Sequence, residues 1–304
     1  MKGRLKMKNP YKTRAGGATV TVFVPYDCGN HCPFCINKGE YADTSWFNMD
    51  EILRSIKVMD ALTPKCDFVF TGGEPFANRH ALQELLDAVP STHRVFINTT
   101  LPVFEGQTEQ DIIDFAEKNK DKITCINISR HLVKYVEESP DELLAALPVR
   151  RRVNCVLYKE YPAEKLPQYL ERWIPYNIPV QFRFDYTATT PENLYDQEND
   201  KILHDLHKIA EYRGLDGCRM RCGFHFDYNG LELTYHKTLP YSTIVETDEN
   251  GVTYDILYDI IIKQNGEIRS DWDDTVLDLT GYKNVVFEPY DLRVIEGHLD
   301  EMAY

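Results

Sequence analysis

The residues best suited to chemistry lie in one short loop, Cys28-Gly-Asn-His-Cys32-Pro-Phe-Cys35. Their C-x3-C-x2-C spacing follows directly on a β-rich run, Thr19-Val-Thr-Val-Phe-Val24, so the loop should leave the end of a strand. Thiolates this close together can converge on one soft metal centre, either zinc or an iron–sulfur cluster. A structural zinc site takes four protein ligands, and an ordinary 4Fe–4S cluster takes four cysteines. Three leave one iron open, and an open iron is a place where a substrate or cofactor can bind. A second motif, Gly72-Gly73-Glu74-Pro75, follows another β-rich run, Asp67-Phe-Val-Phe-Thr71. Glycines at the carboxyl end of a strand let backbone approach a ligand closely, and Glu74 can accept a hydrogen bond from an ammonium group.

With Phe34 placed just before the third cysteine, the two motifs together resemble the radical S-adenosylmethionine (radical SAM) enzymes. The resemblance implies a 4Fe–4S cluster on Cys28, Cys32 and Cys35, with S-adenosylmethionine chelating the fourth iron through its amino and carboxylate groups. One electron from the cluster then cleaves the sulfonium, and the 5′-deoxyadenosyl radical abstracts hydrogen from a substrate. It also implies that Phe34 packs near the adenine and that Gly72, Gly73, Glu74 and Pro75 orient the methionyl amino group. Ser129 and Asn154 would serve the ribose and the methionyl carboxylate. A flavodoxin or ferredoxin would supply the electron.

The elements that must position these residues alternate. Strands are expected over 19–24, 67–71, 94–100, 122–129, 151–158 and 179–186, with apolar-periodic helices between them. Asn48 and Ser139 each head a capping-box pattern, and Pro140 stands at the first helical position of the second. Helices are expected at 78–89, 108–120 and 162–174. Strand–helix alternation argues for a parallel sheet with right-handed crossovers, and six units fall short of a closed barrel of eight. The expected fold is therefore an α/β partial (β/α)6 TIM barrel, the shape of the radical SAM core. A helix over 200–213, stopped by Gly214, should follow. Asn229-Gly230, Asn250-Gly251 and Asn265-Gly266 then signal hairpins. The expected division is a basic tail over 1–14, a core over 15–215 and a small α+β appendage over 216–304 that covers the substrate.

Arg183 sits among apolar residues in Val180-Gln-Phe-Arg-Phe184, which points its guanidinium into the barrel toward a carboxylate of cofactor or substrate; a structural ion pair is the alternative. Cys218 and Cys222 fall where some family members bind auxiliary clusters, and Asp259 to Trp272 echoes those domains. Yet no cysteine follows Cys222, and two thiols cannot hold an ordinary 4Fe–4S cluster. The region reads as a degenerate auxiliary domain, with Cys218 or Cys222 left as a hydrogen-atom donor or an idle thiol. Cys66, Cys125 and Cys155 read as small core residues. His204 and His207 have metal-compatible spacing but read as a solvated helix face, and His31 as loop packing.

A net charge of −14 over 304 residues argues against general nucleic-acid binding, which needs a positive footprint. No apolar run suggests a membrane span or a secretory signal. A reducing cytoplasm suits the cysteine pattern. A small-molecule substrate is favoured over a peptide segment because no peptide-recognition domain is evident before the core. A non-enzymatic zinc or iron–sulfur module is the reading from another class.

Overall fold

The computed structural model of the chain describes residues 11–13, 19–24, 28–30, 32–35, 44–62, 65–185, 188, 196–215, 223–237, 243–257 and 259–269. Strand β1 (Tyr11–Thr13) precedes the core, which begins with β2 (Thr19–Val24). The period-two pattern of β2 sorts its side chains. Val20, Val22 and Val24 enter the apolar core, while Thr19 and Thr21 line a cavity on the other face. Helix α1 (Met49–Leu62) follows, with Asn48 Oδ1 accepting from Glu51 N–H at 3.2 Å as its cap and Ile52, Ile56 and Met59 buried. Strand β3 (Asp67–Gly72) repeats the alternation, with Phe68 and Phe70 in the core and Val69 and Thr71 toward the cavity.

Helix α2 (Arg79–Ala88) is capped by Asn78, and β4 (Arg94–Thr99) follows it. Helix α3 (Glu109–Lys118) opens with a reciprocal capping box between Thr108 and Asp111, and β5 (Cys125–Ser129) comes next. Helix α4 (Asp141–Ala146) leads to β6 (Arg151–Leu157), and α5 (Leu166–Glu171) to β7 (Val180–Phe184). Strands β2 to β7 pair in sequence order, every pair parallel. That is the expected partial barrel.

Two local expectations in this core differ. Ser139 does not cap α4, which begins without a side-chain cap. Its hydroxyl and carbonyl instead accept from Arg130 Nη2, at 2.8 and 3.1 Å. Arg130 is fully buried and also donates to the carbonyls of Thr100 and Ser129. An unsatisfied buried guanidinium costs more than an uncapped helix end, so the arginine takes the hydroxyl. The helix expected over 162–174 is broken into a short α-helical piece between 3₁₀ turns at Ala163–Lys165 and Ile174–Tyr176. Pro167, inside that span, lacks the N–H donor a continuous helix needs.

Beyond these, α6 (Lys201–Ile209) stops four residues early, and Glu211–Leu215 is a strand, β8. Strand β8 pairs antiparallel with β9 (Gly223–Tyr228), packing the Tyr212 ring 5.3 Å from Phe226. Gly214, at φ +125°, marks a bulge in that pairing rather than a helix stop.

The Asn-Gly pairs do form hairpins. Asn229 and Gly230, both at positive φ, join β9 to β10 (Leu231–His236). Strands β11 (Thr243–Thr247) and β12 (Thr253–Leu257) flank the second pair, and β13 (Asp259–Ile262) and β14 (Ile268–Arg269) the third. Strand β10 adds parallel to β7 and β13 adds parallel to β2, so the core sheet is extended at both edges. Among the described residues it has eleven strands, in the order β14-β13-β2-β3-β4-β5-β6-β7-β10-β9-β8. The β13–β14 hairpin docks on α1, where Ser55 Oγ donates to the Gly266 carbonyl at 2.6 Å. Strands β1, β12 and β11 form a separate sheet. No helix among the described residues is long and apolar enough to cross a membrane.

Candidate cluster and cofactor site

The chain leaves β2 into the cysteine loop, where Cys35 N–H bonds the Cys32 carbonyl at 3.2 Å and folds the loop back. Cys28, Cys32 and Cys35 are all partly exposed, and all three line one cavity of about 410 Å³ at the carboxyl ends of the core strands. Among the described residues no three His, Cys, Asp or Glu side chains converge as around a single metal ion. Each ligand of a polynuclear cluster binds a different iron, so its ligands stand further apart. Three thiols that line one cavity could each hold one iron of such a cluster. Burial pushes the Cys28 thiol up from its ordinary value, against the amide hydrogen bonds from Asn30.

Glu74 sits under the loop, almost wholly buried. Its Oε1 accepts from Phe76 N–H at 3.1 Å and from the Thr99 hydroxyl. Its Oε2 accepts from the N–H and hydroxyl of Thr100, at 2.8 and 2.9 Å. A carboxylate has about four lone-pair sites, and here the chain's own donors fill them. Burial still outweighs these bonds and raises the Glu74 pKa. Its carboxylate therefore ties the Gly72–Pro75 segment to the end of β4. Gly72 has a structural cause of its own. A Cβ there would lie 2.6 Å from the Val24 carbonyl oxygen, so the close approach is to the neighbouring strand.

Phe34 packs edge-on to His131 and Tyr135, with ring centroids at 4.9 and 5.5 Å, and tilts against Tyr158 at 5.6 Å. His131 lines the cavity with its Nδ1 accepting from Val156 N–H at 3.1 Å. That bond leaves the proton on Nε2, a neutral donor with no partner among the described residues. Burial and then the adjacent Arg130 guanidinium push His131 down to about 4 from 6.5. The unfolded chain takes up this proton between pH 6.5 and 4 and the folded one does not, so stability falls as pH falls through that window. The loss should be about 3 kcal/mol, read as the difference in urea-unfolding free energy between the unsubstituted chain and His131→Asn at pH 7 and pH 4.

Ser129 and Asn154 are register partners on β5 and β6, and both face the cavity. Asn154 Oδ1 is buried without a hydrogen-bond partner, the condition of an acceptor shaped for a ligand donor. Arg183 lines the same cavity, with its Nε donating to Gln181 Oε1 at 3.1 Å. Arg130 turns away from it into the protein. Cys218, Cys222, His31 and the Asp271-Trp272 pair lie outside the described residues. His204 Nε2 meets the Glu198 carbonyl at 2.7 Å and His207 packs between Tyr212 and Phe226, each ring 5.2 Å away. Sequence reasoning passed over Asn30, Thr100 and His131. The signal for His131 was its place just past a strand end, and for Asn30 its place inside the cysteine motif.

Residues 15–146 match a family model described as a 4Fe-4S single cluster domain. No curated protein matches the chain. Among solved structures, Streptococcus suis SuiB bound to S-adenosylmethionine superposes with a TM-score of 0.50 at 15% identity, over 90% of this chain and 63% of that one. The chain has a radical SAM fold. SuiB bound to its precursor peptide SuiA gives a TM-score of 0.50 at 17% identity, over 91% of this chain and 64% of SuiB. Native anSMEcpe with bound AdoMet and the Cp18Cys peptide is more distant, at a TM-score of 0.38 and 16% identity over 55% of this chain and 51% of that one. The chain thus spans between half and two-thirds of the length of these proteins. The expected resemblance to the radical SAM enzymes is borne out in the fold and in the cluster domain.

Proposed function

We propose that the chain is a radical SAM enzyme that holds a 4Fe–4S cluster on Cys28, Cys32 and Cys35 and binds S-adenosylmethionine beside it. The observation that carries this reading is the convergence of the three thiols, the Gly72–Glu74 segment and the unpartnered Asn154 Oδ1 on one cavity. Cys28, Cys32 and Cys35 would hold the cluster, which when bound would supply one-electron chemistry to S-adenosylmethionine and so hydrogen-atom abstraction from a substrate. The chain's own residues bind, orient and keep water away. With the Glu74 carboxylate filled, the methionyl ammonium is left to the backbone carbonyls of the segment. Asn154 Oδ1 accepts from a ribose hydroxyl, and Phe34, backed by Tyr135 and Tyr158, covers the adenine side.

The substrate we favour is a peptide segment reaching the cavity from its open side. The likeness over most of the chain to SuiB, solved with a precursor peptide, supports it. The small-molecule reading keeps one observation in its favour, since Arg183 and Asp259 line the cavity from opposite edges of the core and together suit a zwitterion. A flavodoxin or ferredoxin is the proposed electron source.

Anaerobic reconstitution followed by reduction should yield 5′-deoxyadenosine; a cluster that forms and leaves S-adenosylmethionine intact would return the chain to a non-enzymatic module. Deuterium carried from labelled peptide or labelled small molecule into 5′-deoxyadenosine decides between the substrates. Removing the Asn154 acceptor as Asn154→Leu strands a ligand hydroxyl and should weaken S-adenosylmethionine binding by about tenfold in anaerobic equilibrium dialysis.

A further inference from the structure

Asn30 lies inside the cysteine motif, two residues after Cys28. Its Oδ1 accepts from Glu137 N–H at 3.2 Å. A backbone N–H can only donate, so this contact fixes which end of the amide is oxygen. The Nδ2 end then faces two acceptors, Thr100 Oγ1 at 3.3 Å and Cys28 Sγ at 3.7 Å. Thr100 spends its hydroxyl proton on Glu74 Oε2 at 2.9 Å, so its oxygen is left to accept from Asn30. Two amide protons meet two acceptors, and the order of donation is Asn30 to Thr100 to the buried Glu74 carboxylate, with Asn30 also donating to Cys28.

From this geometry we infer that Asn30 sets the reduction potential of the cluster held by Cys28, Cys32 and Cys35. The inference rests on the cluster reading above. A reduced cluster carries one more negative charge, part of it on the thiolate sulfurs, and an N–H···S bond strengthens as that charge grows. The bond therefore stabilises the reduced form over the oxidised one and raises the potential. Phe34, His131 and Val136 line the cavity beside Cys28, and the Asn30–Cys28 contact itself is part-buried, which screens it less than bulk water would. Glu137 N–H and Thr100 hold the amide in place, which makes Asn30 a positioning residue whose effect is electronic.

The test is an EPR-monitored potentiometric titration of the anaerobically reconstituted full chain. Asn30→Leu removes the donor and should lower the reduction equilibrium about tenfold, which is 59 mV for a one-electron couple. Asn30→Asp keeps an acceptor for Glu137 N–H while replacing the donor by a negative charge, and should lower it further. Midpoints equal to that of the unsubstituted chain in both variants would overturn the assignment. A second measurement uses the unsubstituted protein, so it does not depend on the variants assembling a cluster. With asparagine labelled by ¹⁵N in the side chain, the reduced cluster should show a ¹⁵N hyperfine coupling, and its absence would overturn the assignment as well. Failure of the unsubstituted chain to take up a cluster would instead sink the functional reading on which this rests. A cluster that forms, with unmoved midpoints, sinks the role of Asn30 alone.

Discussion

Cys32→Ser is expected to leave the chain folded and to reduce 5′-deoxyadenosine formation to background. The loop carrying Cys28, Cys32 and Cys35 contributes none of them to the apolar core. The described polar contact of Cys32 Sγ with the Tyr135 carbonyl, at 4.0 Å, is weak. A serine hydroxyl is tolerated at such a half-exposed position, but it is a poor ligand for iron in a thiolate site. The comparison that gives this prediction its force is Cys155→Ser. Cys155 is fully buried in the core, and burial pushes its thiol up to about 12, so it is an inert apolar residue. A hydroxyl there should cost about 1–3 kcal/mol of stability in urea unfolding while the cluster still forms. The same chemical change is thus expected to separate by position: activity and cluster absorbance lost at Cys32, stability lost at Cys155. Cluster absorbance retained in Cys32→Ser would remove that cysteine from the ligand set.

The sequence makes the core strands legible because each carries a period-two pattern with one apolar face, and the structure uses both faces. In β2 the valines go to the core and the threonines to the cavity. The hairpin turns were legible for an equally local reason, the tolerance of Asn-Gly for positive φ. What local pattern cannot supply is the partner. Nothing in 229–230 or 265–266 says that β10 will add to β7 and β13 to β2, because sheet edges recruit strands through backbone groups common to all residues. Ser139 shows the same limit on a smaller scale. Its spacing to Glu142 spells a capping box, but a buried guanidinium nine residues earlier claims the hydroxyl. Glu211 to Arg213 fall within the expected helix and join a strand because β9 offers an edge and the Phe226 ring.

The site divides in the same way. The cysteines and Gly72 to Pro75 are contiguous and could be read directly. The residues that tie them together are distant in sequence: Thr99 and Thr100 reach Glu74 across 25 and 26 positions, and Asn30 reaches Thr100 across 70. A reading of Glu74 as a ligand for an ammonium follows from its motif, whereas its saturation by buried donors appears when β3 and β4 are laid side by side.

Gly72→Ala should be among the most damaging single-methyl changes in the chain, and for two reasons that add. Gly72 has φ +120°, a backbone conformation that side chains of L residues rarely adopt. Its added Cβ would lie 2.6 Å from Val24 O and 2.9 Å from Val24 N, both backbone atoms of the adjacent strand. Backbone cannot swing aside as a flexible side chain does. Val24 and Gly72 are the last register pair of β2 and β3, and Gly73 N–H also reaches the Val24 carbonyl, at 3.4 Å. Relief of the clash must therefore open the parallel pair at its carboxyl end, where one strand runs on into the cysteine loop and the other into Glu74. Strain at the dihedral and overpacking against a strand together predict a loss of about 3 kcal/mol or more in urea unfolding. Gly106→Ala isolates the first cause, since Gly106 has φ +78° with nothing within 4 Å of the added carbon. It should cost about 1 kcal/mol and leave cluster assembly intact. If the two variants unfold at the same denaturant concentration, the contact with Val24 is not what requires glycine at position 72. If Gly72→Ala unfolds much earlier and also loses its cluster absorbance, the end of this strand pair is what holds the cysteine loop in register with the Gly72–Pro75 segment.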